Sequence, residues 1–254
     1  MRLAYRSAVE SGSVEPAVDG EIRRRCVLSR PTLEASQLEV QDDEIINYLS
    51  RSLRLRPGQS LECLDGMGQA RLAELTEFSS RQISGQWLEP MRTMARPSGD
   101  YPLPVLALLK GKDNDEAIRV HSELGLPKVR LFRSDRDARG QAQLPLDRWQ
   151  RLAQEACRQS GGYHVLQVEV KADLATALSD LNDHQIYYGD SGAGEPEPSR
   201  KPKAILVGPE GGFSAAEFDR IRHAGGQSIG LGWGTMRARS AGVALPAVFC
   251  LGAP

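Results

Sequence analysis

The chain has few of the residues that build disulfides and metal centres. Its 254 residues include four cysteines and four histidines, and no two cysteines have C-x-x-C spacing. Scattered cysteines are typical of free thiols in a reducing compartment, so we expect no disulfide. The histidines are equally isolated in the sequence, and we therefore expect no metal site.

Long apolar runs are also missing. The last one, over residues 243–254, is interrupted by Pro246 and is shorter than the roughly 20 residues of a membrane span. Residues 1–20 alternate polar and small side chains, without the apolar segment of a secretory signal. We expect a flexible tail over residues 1–20 and a cytoplasmic protein without a membrane span.

An excess of charge of one sign is absent too, because 32 basic and 33 acidic residues leave a net charge of −1. This balance does not by itself indicate a nucleic-acid-binding protein. Yet only six basic residues are lysine, and arginine is the residue that binds phosphate in a planar, bidentate manner. Arginines cluster at Arg23–Arg25 with Arg30 and at Arg51, Arg54 and Arg56. Each cluster either binds RNA or is solvated surface.

The pattern of apolar residues divides the chain in two. Between residues 21 and 92, short apolar runs separated by turns such as Asp65-Gly66 favour a small β domain, with one helix over Asp42–Leu53. Residues 92–104 contain three prolines and are typical of a linker. Over residues 103–254, apolar strands alternate with helical segments, which predicts a parallel α/β sheet covered by helices.

The most informative segment runs from Ala204 to Glu217. An apolar strand ends at Gly208-Pro209, and Ser214 with Glu217 has the spacing of a capping box at the start of a helix. Three glycines between them let the backbone approach a ligand closely, because no Cβ is present. Open α/β sheets bind nucleotides at such turns. The segment is either a ligand site or a tight structural turn, and it lacks G-x-G-x-x-G and Walker A spacing, which argues against a phosphate cradle.

Several motifs agree with one known family. The specific one is Val207–Ser214 with Glu217, followed by Leu231-Gly232, Met236-Arg237 and Ser240-Ala241. Supporting motifs lie at Ser52–Gly58, Leu64–Gly66, Glu123–Leu126 and Glu155–Ser160. Together they resemble the ribosomal RNA small subunit methyltransferase E family of the SPOUT superfamily, and the resemblance extends over most of the chain.

The resemblance implies an α/β fold whose parallel sheet ends in a C-terminal trefoil knot, next to a small N-terminal β-barrel, PUA-like domain that binds RNA. It also implies S-adenosylmethionine as cofactor, a homodimer, and ribosomal RNA or the small ribosomal subunit as partner. The apolar last helix, with Val243, Leu245, Val248 and Phe249, offers more apolar surface than a monomer is expected to cover, so we expect the dimer to form there. The implied reaction is methylation of N3 of a uridine in 16S ribosomal RNA. The expected bounds of the two domains are 21–92 and 103–254. The expected cofactor contacts are Leu206, Gly208, Pro209, Gly211, Gly212, Leu231, Gly232, Met236 and Ser240.

The candidates for catalysis are Arg237, Glu210 and Arg239, and those for RNA binding are Arg51, Arg54 and Arg56. A cation near the uridine would stabilise the negative charge of the reacting base, which suits Arg237 with Arg239 as a substitute. Arg237 could equally bind a phosphate or form a salt bridge at a helix end. Glu210 could accept the N3 proton, although we favour a function in orienting the loop.

The sequence departs from the family pattern at three positions. Gly234 replaces an arginine of the final motif, Arg239 replaces a glutamate, and Gly162 stands where an arginine is usual. These changes leave open a catalytically weakened paralogue that binds RNA or assists ribosome assembly. An unrelated nucleotide-binding α/β enzyme is the remaining alternative.

Overall fold

The computed structural model describes residues 24–96, 99–137, 144–190, 192–194, 199–230 and 234–250. The chain divides into two compact units, Met1–Ser98 and Gly99–Pro254. Buried apolar residues form one core in the first unit and two in the second. The tail expected over residues 1–20 lies outside the described residues.

Six strands form the sheet of the first unit within its described residues. They are β1 (Arg25–Val27), β2 (Leu38–Val40), β3 (Ser60–Leu64), β4 (Gln69–Phe78), β5 (Ile83–Trp87) and β6 (Arg92–Thr93). The strand order is β1-β3-β4-β5-β2, and β6 pairs with β4. The Asp65-Gly66 turn joins β3 and β4 in the predicted hairpin, where the Asp65 carboxylate accepts hydrogen bonds from the amides of Met67 and Gln69.

The helical part of the first unit contains the helix expected over Asp42–Leu53 and, among the described residues, one further helix. A short helix α1 (Arg30–Glu34) precedes this region, and the region itself divides into α2 (Asp43–Asn47) and a π-helical turn (Tyr48–Ser52). The Asp42 side chain caps α2 by accepting a hydrogen bond from the Ile45 amide at 3.0 Å. Neither α1 nor the strands β2 and β6 were expected, because elements of two to five residues contain too few periods to show a pattern.

A buried ion-pair network connects β1, β3 and β6. Glu62 is 1% exposed and accepts hydrogen bonds from Arg25 Nε at 2.7 Å and from Arg92 Nη2 at 2.9 Å. Removing one partner of such a buried pair costs about 3–5 kcal/mol, because a buried charge is left uncompensated. Arg25 therefore stabilises the sheet, although the sequence placed it in a cluster of RNA-binding or solvated arginines.

The second unit is an α/β domain, as its sequence pattern predicts. Its strands are β7 (Leu103–Ala107), β8 (Lys128–Phe132), β9 (Gln167–Lys171), β10 (Gln185–Gly189), β11 (Lys203–Val207) and β12 (Gln227–Ile229). Its helices are α3 (Asp113–Glu123), α4 (Leu146–Ser160), α5 (Leu174–Leu178), α6 (Ala215–His223) and α7 (Ala238–Cys250). All strand pairs are parallel, in the order β12-β10-β11-β7-β8-β9.

Two helices of this unit begin earlier than their sequences suggest. The spacing of Asp147 and Gln150 predicts a helix that begins at Asp147 with a capping box, and this prediction is wrong: α4 begins at Leu146, after Pro145, and has no side-chain cap. The last helix begins at Ala238 rather than at Ser240. Ser240 therefore lies within the first turn of α7.

A histidine compensates for the proline inside α7. Pro246 has no amide hydrogen to donate to the Gly242 carbonyl four residues earlier, so the sequence predicts a kink there. In the structure, Nε2 of His121 on α3 lies 2.9 Å from this carbonyl oxygen and donates to it. His121 is fully buried, and its Nδ1 has no hydrogen-bond partner among the described residues.

We expect His121 to make the second unit less stable in mild acid. Burial lowers the pKa of His121 to about 4, from 6.5. The unfolded chain therefore takes up this proton before the folded chain does, so stability falls below pH 6.5 and the loss is complete below pH 4. Between pH 7.5 and pH 5 the loss is about 2 kcal/mol. Denaturant unfolding of wild type and His121→Gln at both pH values measures it, and equal losses in the two proteins would contradict this assignment.

Candidate functional site

The turn between β11 and α6 is the centre of the candidate site. Residues 204–207 of β11 are buried between β10 and β7, and the chain leaves the sheet at Gly208. The Gly212 amide donates to the Pro209 carbonyl at 2.9 Å, and Gly212 has a φ of 71°, which favours glycine. Gly211 and Gly212 are exposed. The segment is thus a tight structural turn, and it also has the exposed backbone that a ligand site would need.

The capping box at the start of α6 has a second function. Ser214 Oγ accepts from the Glu217 amide at 3.1 Å, and the Glu217 carboxylate accepts from the Ser214 amide at 2.8 Å. Glu217 is fully buried and also accepts from the Asp135 amide at 3.0 Å and the Ser134 hydroxyl at 3.3 Å. The Ser214 hydroxyl donates to the Asp135 carboxylate at 2.5 Å. The cap therefore connects α6 to the loop that follows β8.

Three loops meet at this edge of the sheet. Because β7 lies between β11 and β8, the loops after these parallel strands reach the same edge. Glu210 Oε1 accepts a hydrogen bond from the Lys110 amide, after β7, at 3.2 Å. The guanidinium of Arg136, after β8, donates to the Gly211 carbonyl. Sequence reasoning missed Lys110, Asp135 and Arg136, whose only signal is their position soon after a buried strand.

The glycines of the turn serve different purposes. A Cβ on Gly208 would lie 3.0 Å from a ring carbon of the buried Phe213, so packing favours glycine at this position. A Cβ on Gly211 or Gly212 would meet only Arg136 among the described residues, at 3.6 and 3.9 Å. These two glycines form an open surface without side chains, which a flat ligand could approach closely.

The other expected cofactor contacts lie in three environments. The side chain of Leu206 is fully buried, and Pro209 is buried as well. Met236 is 40% exposed and Ser240 is exposed, and no hydrogen bond within the described part joins either residue to the turn. Leu231-Gly232 lies outside the described residues. The contacts expected before α6 lie in one turn, and all of the expected cofactor contacts stay predictions.

The candidate catalytic residues lie in the turn before α6 and at the start of α7. Arg237 and Arg239 are exposed at the start of α7, where the Arg237 carbonyl accepts from the Ala241 amide at 2.9 Å. Neither guanidinium forms an ion pair with any described residue, so the salt bridge considered for Arg237 is not seen in this part of the chain. Glu210 is held by its hydrogen bond to Lys110, which fits a function in orienting the loop.

Two departures from the family pattern have different local settings. Gly161, with a φ of 80°, ends α4, and the Gly162 amide donates to the Cys157 carbonyl at 2.9 Å. A Cβ on Gly162 would lie 3.2 Å from Cys157 Sγ, so the end of α4 favours glycine there. A Cβ on Gly234 would meet no described atom within 4 Å. Nothing in the structure explains the glycine at 234.

Arg51, Arg54 and Arg56 are exposed in the first unit, and none forms an ion pair with another described residue. The segment that carries them is anchored by Leu55, which is 1% exposed and whose amide donates to the Leu49 carbonyl at 3.0 Å. Arg54 has a φ of 52°, in the left-handed region that few side chains adopt. The fold therefore holds these three cations at the surface on a constrained backbone.

The described residues contain no group of three or more His, Cys, Asp or Glu placed to hold a metal ion. All four cysteines are free thiols, and burial raises the pKa of Cys250 to about 11. No helix in the described ranges is both long enough and apolar enough to cross a membrane.

Comparisons with known proteins agree with this arrangement. Residues 103–249 match the RNA methyltransferase domain family, and residues 42–86 match the RNA methyltransferase PUA domain family. Ribosomal RNA small subunit methyltransferase E of Synechocystis sp. is 30% identical over 214 residues, which cover 77% of this chain and 67% of the relative. The protein of the same name from Bacillus subtilis is 25% identical over 228 residues, covering 82% and 87% of the two chains.

The fold agrees as well. The crystal structure of a ribosomal RNA small subunit methyltransferase E from Neisseria gonorrhoeae, bound to S-adenosyl methionine, is similar with a TM-score of 0.75 and 25% identity. The match covers 89% of this chain and 96% of that chain. The domain matches, the relatives and the shared fold show that the chain belongs to the ribosomal RNA small subunit methyltransferase E family of RNA methyltransferases.

Proposed function

We propose that this protein uses S-adenosylmethionine to methylate N3 of a uridine in 16S ribosomal RNA. Membership of the family supports methyl transfer to ribosomal RNA, and the related Neisseria gonorrhoeae structure is bound to S-adenosyl methionine. The observation that carries the proposal is the exposed Gly211-Gly212 surface at the carboxyl edge of the parallel sheet. Ligands of open α/β sheets bind at this edge.

The residues of the turn fit the proposed cofactor. Gly211 and Gly212 present exposed backbone without side chains, so a planar adenosine could lie directly against it. Met236 and Ser240, with Leu231-Gly232, would complete the pocket from the chain before and at the start of α7. Bound S-adenosylmethionine supplies a methyl group on a positively charged sulfur.

The protein has three tasks in this reaction. It must align the uridine nitrogen with the methyl group and exclude water, which are contributions of position. It must also stabilise the negative charge that spreads to the uridine carbonyl oxygens when N3 loses its proton to solvent. We assign this task to Arg237, with Arg239 as a substitute, and a preorganised donor of this kind contributes about 2.7–4 kcal/mol. Glu210 orients the loop through Lys110.

Two features of the fold complete the proposal. We propose a trefoil knot within the domain 103–254. The strand β12 lies beside β10, whereas α7, which follows β12, packs close to β7 on the other side of β11. This closeness is seen at Gly242 of α7, where an added Cβ would lie 3.6 Å from the side chain of Leu106 on β7. We also propose that the sheet of the domain 21–92 closes into a barrel. A crystal structure of the protein with S-adenosylmethionine tests the threading, and an unthreaded chain would contradict the knot.

Mapping the modified nucleotides of 16S ribosomal RNA tests the proposed reaction. RNA from a strain that lacks the gene should lose one N3-methyluridine, seen by mass mapping and by the loss of a primer-extension stop. The wild-type gene should restore the modification, whereas Arg237→Ala should restore little. An unchanged pattern would contradict the proposal, and a methyl group lost from another atom would contradict only its position.

Calorimetric titration separates this function from its alternatives. Wild-type protein should bind S-adenosylmethionine and methylate isolated small subunits. Binding of the cofactor without transfer would indicate a paralogue that only binds RNA. Failure to bind the cofactor, together with binding of a phosphate nucleotide, would indicate a different α/β enzyme.

We propose a homodimer, with a smaller surface than the sequence suggested. Leu245 and Phe249, two of the apolar residues expected on that surface, are 3% and 4% exposed. Phe249 stacks on Tyr187 with 5.1 Å between ring centroids, so this side of α7 belongs to the core. The half-buried Val243 also packs against the core, whereas Val248 remains available for a partner.

Light scattering at micromolar protein concentration should give a molar mass twice the 27.8 kDa of one chain. Val248→Glu introduces a charge that an apolar interface could not bury without a large cost, so this variant should be monomeric. Arg222→Glu on the exposed side of α6 is the control and should remain dimeric. A wild-type mass of one chain would contradict the homodimer.

A further inference from the structure

We propose that Arg136 is a positioning residue for cofactor binding, which acts by fixing the cofactor turn. The inference rests on the proposed function, in which the Gly208–Gly212 turn binds S-adenosylmethionine. Arg136 belongs to none of the sequence motifs that indicated the family. Its function follows from its place in the loop of residues 133–137, which is called the β8 loop below.

Arg136 fixes the orientation of one peptide in the turn. The peptide between Gly211 and Gly212 has two polar groups: its carbonyl accepts a hydrogen bond from Arg136, and its amide donates to the Pro209 carbonyl at 2.9 Å. With both groups engaged, the peptide plane is held from two sides. Glycines on either side offer little steric resistance to rotation, so these hydrogen bonds are the main restraint on the plane.

The β8 loop is itself firmly attached to the start of α6. Its Asp135 amide and Ser134 hydroxyl donate to the buried Glu217 carboxylate, and its Asp135 carboxylate accepts from the Ser214 hydroxyl. The Arg136 amide donates to Ser134 Oγ at 3.2 Å. The backbone that carries Arg136 is therefore fixed to the same helix that follows the cofactor turn.

Arg136 also borders the surface that the ligand would use. Among the described residues, its side chain alone comes within 4 Å of a Cβ built on Gly211 or Gly212. A turn that is ordered before binding does not have to be ordered by the ligand, and affinity increases accordingly. Arg136 should therefore act on the affinity for the cofactor rather than on the transfer step of the saturated enzyme.

Calorimetry and kinetics of Arg136→Ala in the full chain test this inference. We expect S-adenosylmethionine to bind about tenfold more weakly, KM for the cofactor to rise by a similar factor, and kcat to change less than twofold. Guanidinium chloride at low millimolar concentration should restore part of the affinity, because the free ion can occupy the place of the side chain. Arg222→Ala removes an exposed arginine of the same unit and should have no effect.

Each outcome separates this inference from the proposed cofactor site. If Gly212→Val loses affinity but Arg136→Ala does not, the turn binds the cofactor and the positioning function is wrong. If neither variant loses affinity, the turn is not the cofactor site. Weaker RNA binding with unchanged cofactor affinity would make Arg136 an RNA contact and overturn the inference. If Arg136→Ala does not fold, the same measurement is made on Arg136→Gln. An unchanged affinity for S-adenosylmethionine in that variant would also overturn the inference.

Discussion

The Gly212→Val variant is expected to bind S-adenosylmethionine at least 100-fold more weakly while keeping its fold. Gly212 has a φ of 71°, at which a side chain costs about 1–2 kcal/mol. The local space does not forbid a side chain, since a Cβ would meet only the end of Arg136 among the described residues. The larger effect comes from placing that side chain on the open surface where the ligand must approach. Calorimetric titration measures the loss.

A matched control separates the ligand effect from backbone strain. Gly161 has a φ of 80° at the end of α4, and a Cβ there would meet no described atom within 4 Å. It precedes β9, so it lies towards the amino edge of the sheet and away from the turn. Gly161→Val should lose comparable stability in thermal unfolding but retain wild-type affinity. Equal losses of affinity in both variants, or none in Gly212→Val, would contradict the site.

The start of α6 shows which part of the site the sequence could predict. Ser214 and Glu217 are three residues apart, so their capping box depends on local spacing alone, and the structure contains it. The contacts of Glu217 with the β8 loop depend instead on β8, β7 and β11 being neighbours in the sheet. The residues that meet there are about 80 positions apart, and no local pattern encodes such a contact.

The same distinction explains the corrected surfaces. Arg25 is in a run of arginines that is typical of solvated surface. Its ion-pair partner, the buried carboxylate of Glu62, is on another strand, 37 residues away in the sequence. Leu245 and Phe249 were expected at an interface because α7 is apolar on more than one side. Which side faces the sheet is decided by tertiary packing, here by the stacking of Phe249 on Tyr187. Periodicity identified the helix but could not orient it.

Replacing Arg51, Arg54 and Arg56 with Ala is expected to weaken RNA binding about 100-fold without changing cofactor affinity. Each exposed arginine that contacts a phosphate contributes roughly 1 kcal/mol, so three of them together account for about two orders of magnitude in affinity. RNA binding also releases fewer counterions when phosphate contacts are lost. The slope of the logarithm of the binding constant against the logarithm of salt concentration should therefore become shallower by roughly 0.7–0.9 per arginine. The chain has a net charge of −1, so overall charge cannot supply this attraction. Titrations of a 16S transcript and an unrelated RNA at several salt concentrations measure both effects, and the two RNAs should weaken equally.

Two control variants make the result specific. Lysine at the three positions keeps the charge and should keep most of the salt slope, while Ala at the exposed Arg119, Arg151 and Arg222 removes equal charge from the second unit. If the second triple variant flattens the slope as much as the first, net charge rather than a local cluster governs binding. If the first keeps the wild-type slope, its arginines are solvated surface. The phosphate contacts would then have to come from the second unit, where Arg237 and Arg239 are exposed at the start of α7.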